Sequence, residues 1–246
     1  MQILLSNDDG YDAVGLQVLH DAISQIADTI VVAPEENRSG CSSALSLRKP
    51  IRAQKRQNGF ISVSGTPADC VHLAITGMLD ELPDMVISGI NNGPNFGDDV
   101  VYSGTVAAII ESRFLKLPGI AVSLAGDKLE NFVTAAQVSV DLVKRLKKKT
   151  LPKDCMLNVN VPDLPYGQLK GFEVTRLGKR NQSQPIIELD RNENGGSYQI
   201  GQPGDVADDG DGTDFHAVRT NKVSVTPITI DMTDYSRIRE VNQWID

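Results

Sequence analysis

Gln2-Ile3-Leu4-Leu5-Ser6-Asn7-Asp8-Asp9-Gly10 decides the reading of this chain: a short unbroken apolar run ends in a polar, doubly acidic turn closed by glycine. A run apolar at every position suits a strand of a mostly parallel sheet, where both faces are covered. Similar runs follow at Ile30 to Ala33, Met85 to Ser88, Ile120 to Leu124 and Met156 to Val161. Between them Leu16, Leu19, Ala22, Ile23 and Ile26 recur at helical spacing, and so do Phe132, Val133, Ala136, Val140, Val143 and Leu146. Strand-like runs alternating with amphipathic helices are the pattern of βαβ units. The chain therefore reads as α/β, a mostly parallel sheet with flanking helices.

Outward from that frame, a helix is predicted to start at Pro67, since proline suits a first turn, and another at Ser103, whose hydroxyl can cap exposed amides. Ile51 to Val63 reads as a hairpin about Asn58-Gly59, and a second hairpin is expected about Asn194-Gly195-Gly196, with Ile186 to Leu189 and Ser197 to Ile200 as arms. After about residue 165 strands and loops replace helices, and Val223 to Ile230 is rich in β-branched residues. This divides the chain into a body, 1–165, and a β-rich appendage with a projecting hairpin, 166–246. A short final helix within Asp234 to Asp246 would carry Ile238, Val241 and Trp244 on one face, free to dock on its own body or on a partner subunit.

The 246 residues hold 24 Lys+Arg against 32 Asp+Glu, a net charge of -8. That balance argues against nucleic-acid polymers and anionic membranes as partners, since both select basic surfaces. The N-terminus lacks the basic and apolar regions of a leader, and no long apolar stretch occurs, so a cytoplasmic location is expected. Cys41, Cys70 and Cys155, odd in number and widely spaced, fit reduced thiols. No C-x-x-C pair suggests a structural zinc.

In an open parallel sheet, ligands bind beyond the carboxyl ends of the strands, which is where Asp8 and Asp9 fall. Adjacent carboxylates repel, and a divalent cation offsets that repulsion. Such a turn also forms unaided; its place after the first strand favours the cation. Ser88-Gly89-Ile90-Asn91-Asn92-Gly93-Pro94-Asn95-Phe96-Gly97-Asp98-Asp99 follows another strand, its glycines permitting close backbone approach and its asparagines offering neutral oxygens. Tyr102-Ser103-Gly104-Thr105 opens an Ala-rich helix whose amides and dipole favour phosphate. Asn37-Arg38-Ser39-Gly40-Cys41-Ser42-Ser43 follows the second strand, with Ser39 a hydroxyl ligand and Arg38 a charge for phosphate. Convergence of these loops, not any one of them, points to a site.

Other candidates reduce to structure. Neither a Walker A nor a G-x-G-x-x-G sequence occurs. His20, His72 and His216 lie far apart, which leaves a Ser-His-Asp mechanism without support. The acidic stretch from Asp205 to Asp214 fails as an EF-hand, because Asp214 stands where the glycine belongs if Asp209 is first. It reads as a solvated loop, with Gly212-Thr213-Asp214-Phe215 tucked against the body. Lys144, Arg145, Lys147, Lys148 and Lys149 end a predicted helix, where cations complement its dipole.

Taken in order, Leu4-Leu5-Ser6-Asn7-Asp8-Asp9-Gly10, Val32-Ala33-Pro34, Asn37-Arg38-Ser39-Gly40, Ser64-Gly65-Thr66-Pro67-Ala68-Asp69-Cys70, Ser88-Gly89-Ile90-Asn91 and Tyr102-Ser103-Gly104-Thr105 resemble the survival protein E (SurE) family of metal-dependent nucleotidases. Asn158-Val159-Asn160-Val161-Pro162 and Gly212-Thr213-Asp214-Phe215 extend the resemblance over nearly the whole chain. It implies a Rossmann-like body with a projecting hairpin in one continuous domain. It also implies a homodimer exchanging C-terminal segments, or in some members a homotetramer. The activity implied is hydrolysis of nucleoside 5'- and 3'-monophosphates, with short polyphosphate in some members.

The family's metal ligands fall on Asp8, Asp9, Ser39 and Asn91, its phosphate contacts on Asn95, Ser103, Gly104 and Thr105. Asn92 beside Asn91 is a departure; the place of Asn91 in Ser-Gly-Ile-Asn selects it. All-oxygen ligation suits one Mg2+, Mn2+ or Ca2+ per subunit. Asp8 and Asp9 are the catalytic candidates, Asp8 as general base or as nucleophile. A nucleotide-sensing binding protein without hydrolysis, and a metal-dependent glycosyl or nucleotidyl transferase, are the rival readings.

Overall fold

The computed structural model describes residues 1–152 and 154–245. Strand β1 (Gln2–Ser6) lies mid-sheet, parallel to β2 (Asp28–Pro34) on one side and to β5 (Met85–Asn92) on the other. Beyond β2 stand β4 (Ile61–Val63), parallel to it, and β3 (Ala53–Lys55), antiparallel at the edge. Beyond β5 come β6 (Ile120–Ala125) and β7 (Met156–Pro162), both parallel.

The appendage range then completes the sheet, because β13 (Val223–Ile228) pairs antiparallel with β7 and carries β8 (Phe172–Val174) outside it. The order is β3-β4-β2-β1-β5-β6-β7-β13-β8. Residue 165 therefore marks no break in the sheet. What projects from it are a small ribbon, β9 (Lys179–Arg180) with β12 (Val206–Asp208), and the hairpin β10 (Ile187–Asn192) with β11 (Gly195–Gln199).

Alternate side chains of each central strand enter opposite cores. Ile3, Leu5, Ile87, Val122 and Val159 meet helices α1 (Val14–Ile23) and α4 (Phe132–Lys148) through Leu16, Leu19, Val143 and Leu146. Leu4, Val32, Val86, Ala121 and Met156 meet α2 (Pro67–Leu73) and α3 (Gly104–Glu111) through Cys70, Val71, Val106 and Ile109. The central strands are largely apolar on both faces because both are covered, which is the mostly parallel sheet with flanking helices expected from the sequence.

Two details depart from expectation. In the exposed hairpin Asn192 pairs with Gly195, so the turn is Glu193-Asn194 and the glycines belong to the arm. Gly196 sits there because a Cβ would fall 2.7 Å from the Asp190 carbonyl oxygen. Val133, placed in the apolar stripe of α4, is 73% exposed, since it lies on the solvent side of a first turn whose Ala135 and Ala136 enter the core. All residues of the last helix, α6 (Ile238–Ile245), are exposed. No helix among the described residues is long and apolar enough to cross a membrane.

Candidate functional site

The chain leaves β1 to build β2 and β4 on one side, then returns to build β5, β6 and β7 on the other. Such a reversal opens a crevice at the carboxyl ends of β1 and β5. Asn7 shapes the first loop: its Nδ2 donates to the Gly10 carbonyl at 2.8 Å and its Oδ1 accepts from the Gly10 amide at 3.3 Å. Gly10 closes the turn at a φ of +112°, open to glycine and strained for other residues.

Asp8 then points into the crevice with 4% of its surface exposed. The Thr105 hydroxyl donates to its Oδ1 at 2.6 Å. Gly104 makes this approach possible, since a Cβ there would lie 2.7 Å from the Asp8 Cβ and 3.0 Å from its Oδ2. Burial pushes the Asp8 carboxyl up to about 6; the Thr105 hydrogen bond opposes the shift and the charge of Asp9 adds to it. Burial raises Asp9 as well, against a hydrogen bond donated by the Asn92 amide to its Oδ2 at 3.1 Å.

The neighbouring loops reach the same place through their backbones. Arg38 donates its amide to the Asp8 carbonyl at 2.7 Å, which brings Ser39 beside the pair; the Ser39 amide closes a turn on Asn37 Oδ1 at 2.8 Å, and the residue is exposed. Arg38 itself pairs with Glu36 at 2.8 Å. On β5 the register shifts between Ser88 and Asn91, and such irregularities re-aim side chains. Asn91 donates its Nδ2 to the Gly93 carbonyl at 2.7 Å, so its Oδ1 stays an acceptor. Asn91 and Asn92 thus divide the work: one keeps a side-chain oxygen, the other holds Asp9 by its amide.

Two carboxylates, a hydroxyl and an amide oxygen form an all-oxygen donor set suited to a hard divalent cation. Among the described residues no group of three or more His, Cys, Asp and Glu gathers anywhere.

Ser103 caps α3, its Oγ accepting from the Val106 amide at 3.1 Å while its own amide donates to the Val100 carbonyl at 3.2 Å. The Gly104 and Thr105 amides, in the first helical turn, have no intrahelical partner and face an anion with the positive end of the dipole. Asn95 is 9% exposed and turned inward: its Nδ2 donates to Ser123 Oγ at 2.8 Å and to Thr105 Oγ1 at 3.4 Å. Asp8, Thr105 and Asn95 are thus joined by side-chain contacts, with Asn95 behind Thr105 and Gly104 packed against Asp8, and the Asn92 amide ties Asp9 to the β5 loop; among the described residues no side-chain hydrogen bond joins Ser39 or Asn91 to either carboxylate.

Two grooves are lined by residues of these loops. One, about 320 Å³, is lined by Asp9, Asn37, Asn92, Val14 and Phe132; the other, about 340 Å³, by Asp98, Asp99, Tyr102, Arg180 and Ser183. A larger apolar groove, about 520 Å³, lies away from the crevice at the end of α4 and bears no relation to this chemistry.

Two carboxylates that sequence reasoning left without a role hold the loops. Asp69 accepts from the Ser46 amide and hydroxyl, at 2.8 and 2.7 Å, and from the Thr66 amide at 2.9 Å, which ties the 41–46 loop to α2. Burial pushes its carboxyl up, but these hydrogen bonds outweigh that and leave it below the usual range. Thr66 and Asp69 form a capping box, and Thr66-Pro67-Ala68-Asp69 carries that spacing. Asp214, fully buried at the start of α5 (Asp214–Arg219), accepts from Gly97 at 2.7 Å and Gly178 at 2.9 Å, joining the β5 loop to the appendage.

The profile described as "Survival protein SurE" matches residues 3–184. The protein named 5'-nucleotidase SurE from Methylococcus capsulatus is 54% identical over 245 residues, spanning 100% of this chain and 98% of its own. Its namesake from Nitrosomonas eutropha is 55% identical over 245 residues, spanning 100% and 99%. The crystal structure of the SurE protein from Aquifex aeolicus matches with a TM-score of 0.87 at 39% identity, over 100% of both chains. Sequence, fold and crevice agree over the full length, and the chain belongs to the SurE family.

Proposed function

We propose that this chain is a metal-dependent nucleotidase that hydrolyses nucleoside 5'- and 3'-monophosphates, with short polyphosphate as a further substrate. The observation that carries the reading is the contact of Asp8 with Thr105: it sets a carboxylate pair suited to a cation directly against the start of α3, whose first-turn amides and dipole suit a phosphate. The full-length relatives named 5'-nucleotidase support the substrate class.

In this reading Asp8, Asp9, Ser39 and Asn91 hold one Mg2+, Mn2+ or Ca2+, whose chemistry when bound is Lewis acidity toward the phosphoryl group. The Gly104 and Thr105 amides receive the non-bridging oxygens and need no reorganisation as charge shifts onto them. Ser103 holds the first turn in place. Asp8, fixed through one oxygen by Thr105, either takes the proton of the attacking water or attacks phosphorus itself. The stereochemistry at phosphorus separates these routes: one in-line attack by water inverts it, whereas two successive displacements through an aspartyl-phosphate retain it.

The reading extends to assembly and location. On α6 Trp244 is 84% exposed, with Ile238, Val241 and Ile245 also uncovered, and Ile187, Leu189 and Ile200 are bare on the hairpin. Apolar surface of this kind supports a homodimer or homotetramer with exchanged C-terminal segments. Three free cysteines support the cytoplasm.

The test is phosphate release from nucleoside 5'- and 3'-monophosphates by metal-stripped protein, with Mg2+, Mn2+ or Ca2+ returned and Asp9→Ala in parallel. Release that requires metal and is lost in the variant is expected. Nucleotide binding with no release under any of the metals would replace the enzyme by a nucleotide sensor.

A further inference from the structure

Strand β7 is buried at every position, and its two faces differ in chemistry. Leu157, Val159 and Val161 enter the core beneath α4, as a covered strand requires. On the other face stand Asn158 and Asn160, both with no exposed surface. Amides in such a place are costly unless paired. Asn160 is paired in a particular way: its Oδ1 accepts from the Asn95 main-chain amide at 2.8 Å, and its Nδ2 donates to the Asn95 carbonyl at 3.0 Å. One side chain thus grips both polar groups of one residue, as a neighbouring strand would in an antiparallel ladder. Asn158 adds a second donor to the same carbonyl, at 2.8 Å, although its own Oδ1 has no partner among the described residues.

The grip reaches the crevice in two further steps. Asn95, held at its backbone, donates its Nδ2 to Ser123 and Thr105. With that acceptor position filled, the Thr105 hydroxyl sends its proton to Asp8 Oδ1. The chain of contacts runs from β7 through Asn95 and Thr105 to the carboxylate, and it is closed to water along its length.

We propose that Asn160, with Asn158 behind it, is a positioning residue for hydrolysis: it sets Asn95, which sets Thr105, which fixes the orientation of Asp8. This rests on the nucleotidase reading. None of these asparagines on β7 touches the substrate.

The test is steady-state hydrolysis of a nucleoside 5'-monophosphate by Asn160→Ala, Asn158→Ala, Asn95→Ala and the Asn95→Ala/Asn160→Ala pair, at a temperature well below each unfolding midpoint. Asn160→Ala should lower kcat about 10- to 100-fold, the scale of a sub-ångström to ångström misplacement. KM should stay within about threefold, because the amides that receive phosphate are untouched. In the Asn95→Ala background the same change should leave kcat within about twofold, since its effect travels through the Asn95 side chain.

If Asn160→Ala lowers the unfolding midpoint but spares kcat, or lowers kcat equally in both backgrounds, the asparagine is only an anchor for the loop and the inference fails. Should Asn160→Ala not fold, Asn158→Ala, which removes one hydrogen bond, carries the same cycle with a smaller drop. No release by the unmodified protein under any of the three metals would remove the nucleotidase reading itself, an outcome distinct from an active protein insensitive at residue 160.

Discussion

The crevice at β1 and β5 and the tail after β13 are opposites. In the crevice every element needed to place Asp8 comes from the same chain, down to the bond from Thr105 and the missing Cβ of Gly104. In the tail α6 has an apolar side, with Trp244 84% exposed, and no surface of its own chain covering it. Polar chemistry is finished within the chain here, while the apolar side of α6 is left exposed. The contrast follows from range: hydrogen bonds need ångström precision that one fold supplies, whereas an amphipathic helix needs only a complementary face.

The contrast breaks first at Asp8. Asp8→Asn should lower kcat about 10^3-fold while the protein keeps a cooperative unfolding transition, since the side chain supports no core. Loss of cooperative unfolding would make Asp8 a structural residue instead. Gly104→Ala comes next: a methyl 2.7 Å from the Asp8 Cβ forces the pair apart. It should lower kcat/KM about 100-fold and stability by about 1–3 kcal/mol. Activity within twofold or so of the original would show that Asp8 need not touch the helix start.

Removing residues 229–246 tests the other side of the comparison. Every described residue of that segment is exposed, so the sheet should fold without it. Light scattering should report a smaller assembly, and the unfolding midpoint should lose its dependence on protein concentration. Hydrolysis should persist within about threefold. Abolished hydrolysis in a folded protein would mean that the crevice, too, is completed by a second chain.

The smallest effect concerns Asp69. Its carboxyl is held below the usual range in the folded protein by hydrogen bonds from Ser46 and Thr66 that outweigh its burial. A lowered folded value means that the ionised group stabilises the fold above the unfolded value near 4 and ceases to do so as pH falls through the folded one. Asp69→Asn should therefore cost about 1–2 kcal/mol at pH 7, and the gap to the original protein should shrink below about pH 4. Denaturant unfolding at the two pH values measures it; an undiminished gap at low pH would assign the cost to geometry rather than charge.

Much of this was legible in local sequence. The apolar runs marked the strands of the mostly parallel sheet because burial on both faces favours apolar side chains, and Pro67 and Ser103 start helices as their chemistry requires. Asn58-Gly59 turns a hairpin, whereas Asn194-Gly195-Gly196 misled by a residue or two, because Gly196 serves a close approach between arms and not the turn. The acidic pair, the Ser103 cap and the asparagine-rich loop are likewise visible as strings of residues, and the structure brings their loops to one crevice. Asp214 is different. The sequence reads Gly212-Thr213-Asp214-Phe215 as tucked against the body, and Asp214 is fully buried, but its partner Gly97, across 117 positions of chain, comes only from the fold.

By itself, then, the sequence determined whatever rests on near neighbours: strand and helix identity, caps, most turns, the family, and the residue types of a cation and phosphate site. Tertiary structure alone decided which polar groups are buried and what satisfies them. It turned Asn95 inward to Thr105, set Asn160 on its backbone 65 positions away, divided Asn91 from Asn92, and left α6 uncovered. The physical reason is that a hydrogen bond inside a protein depends on which segments the sheet order makes adjacent, and that order is a property of the whole chain rather than of any stretch within it.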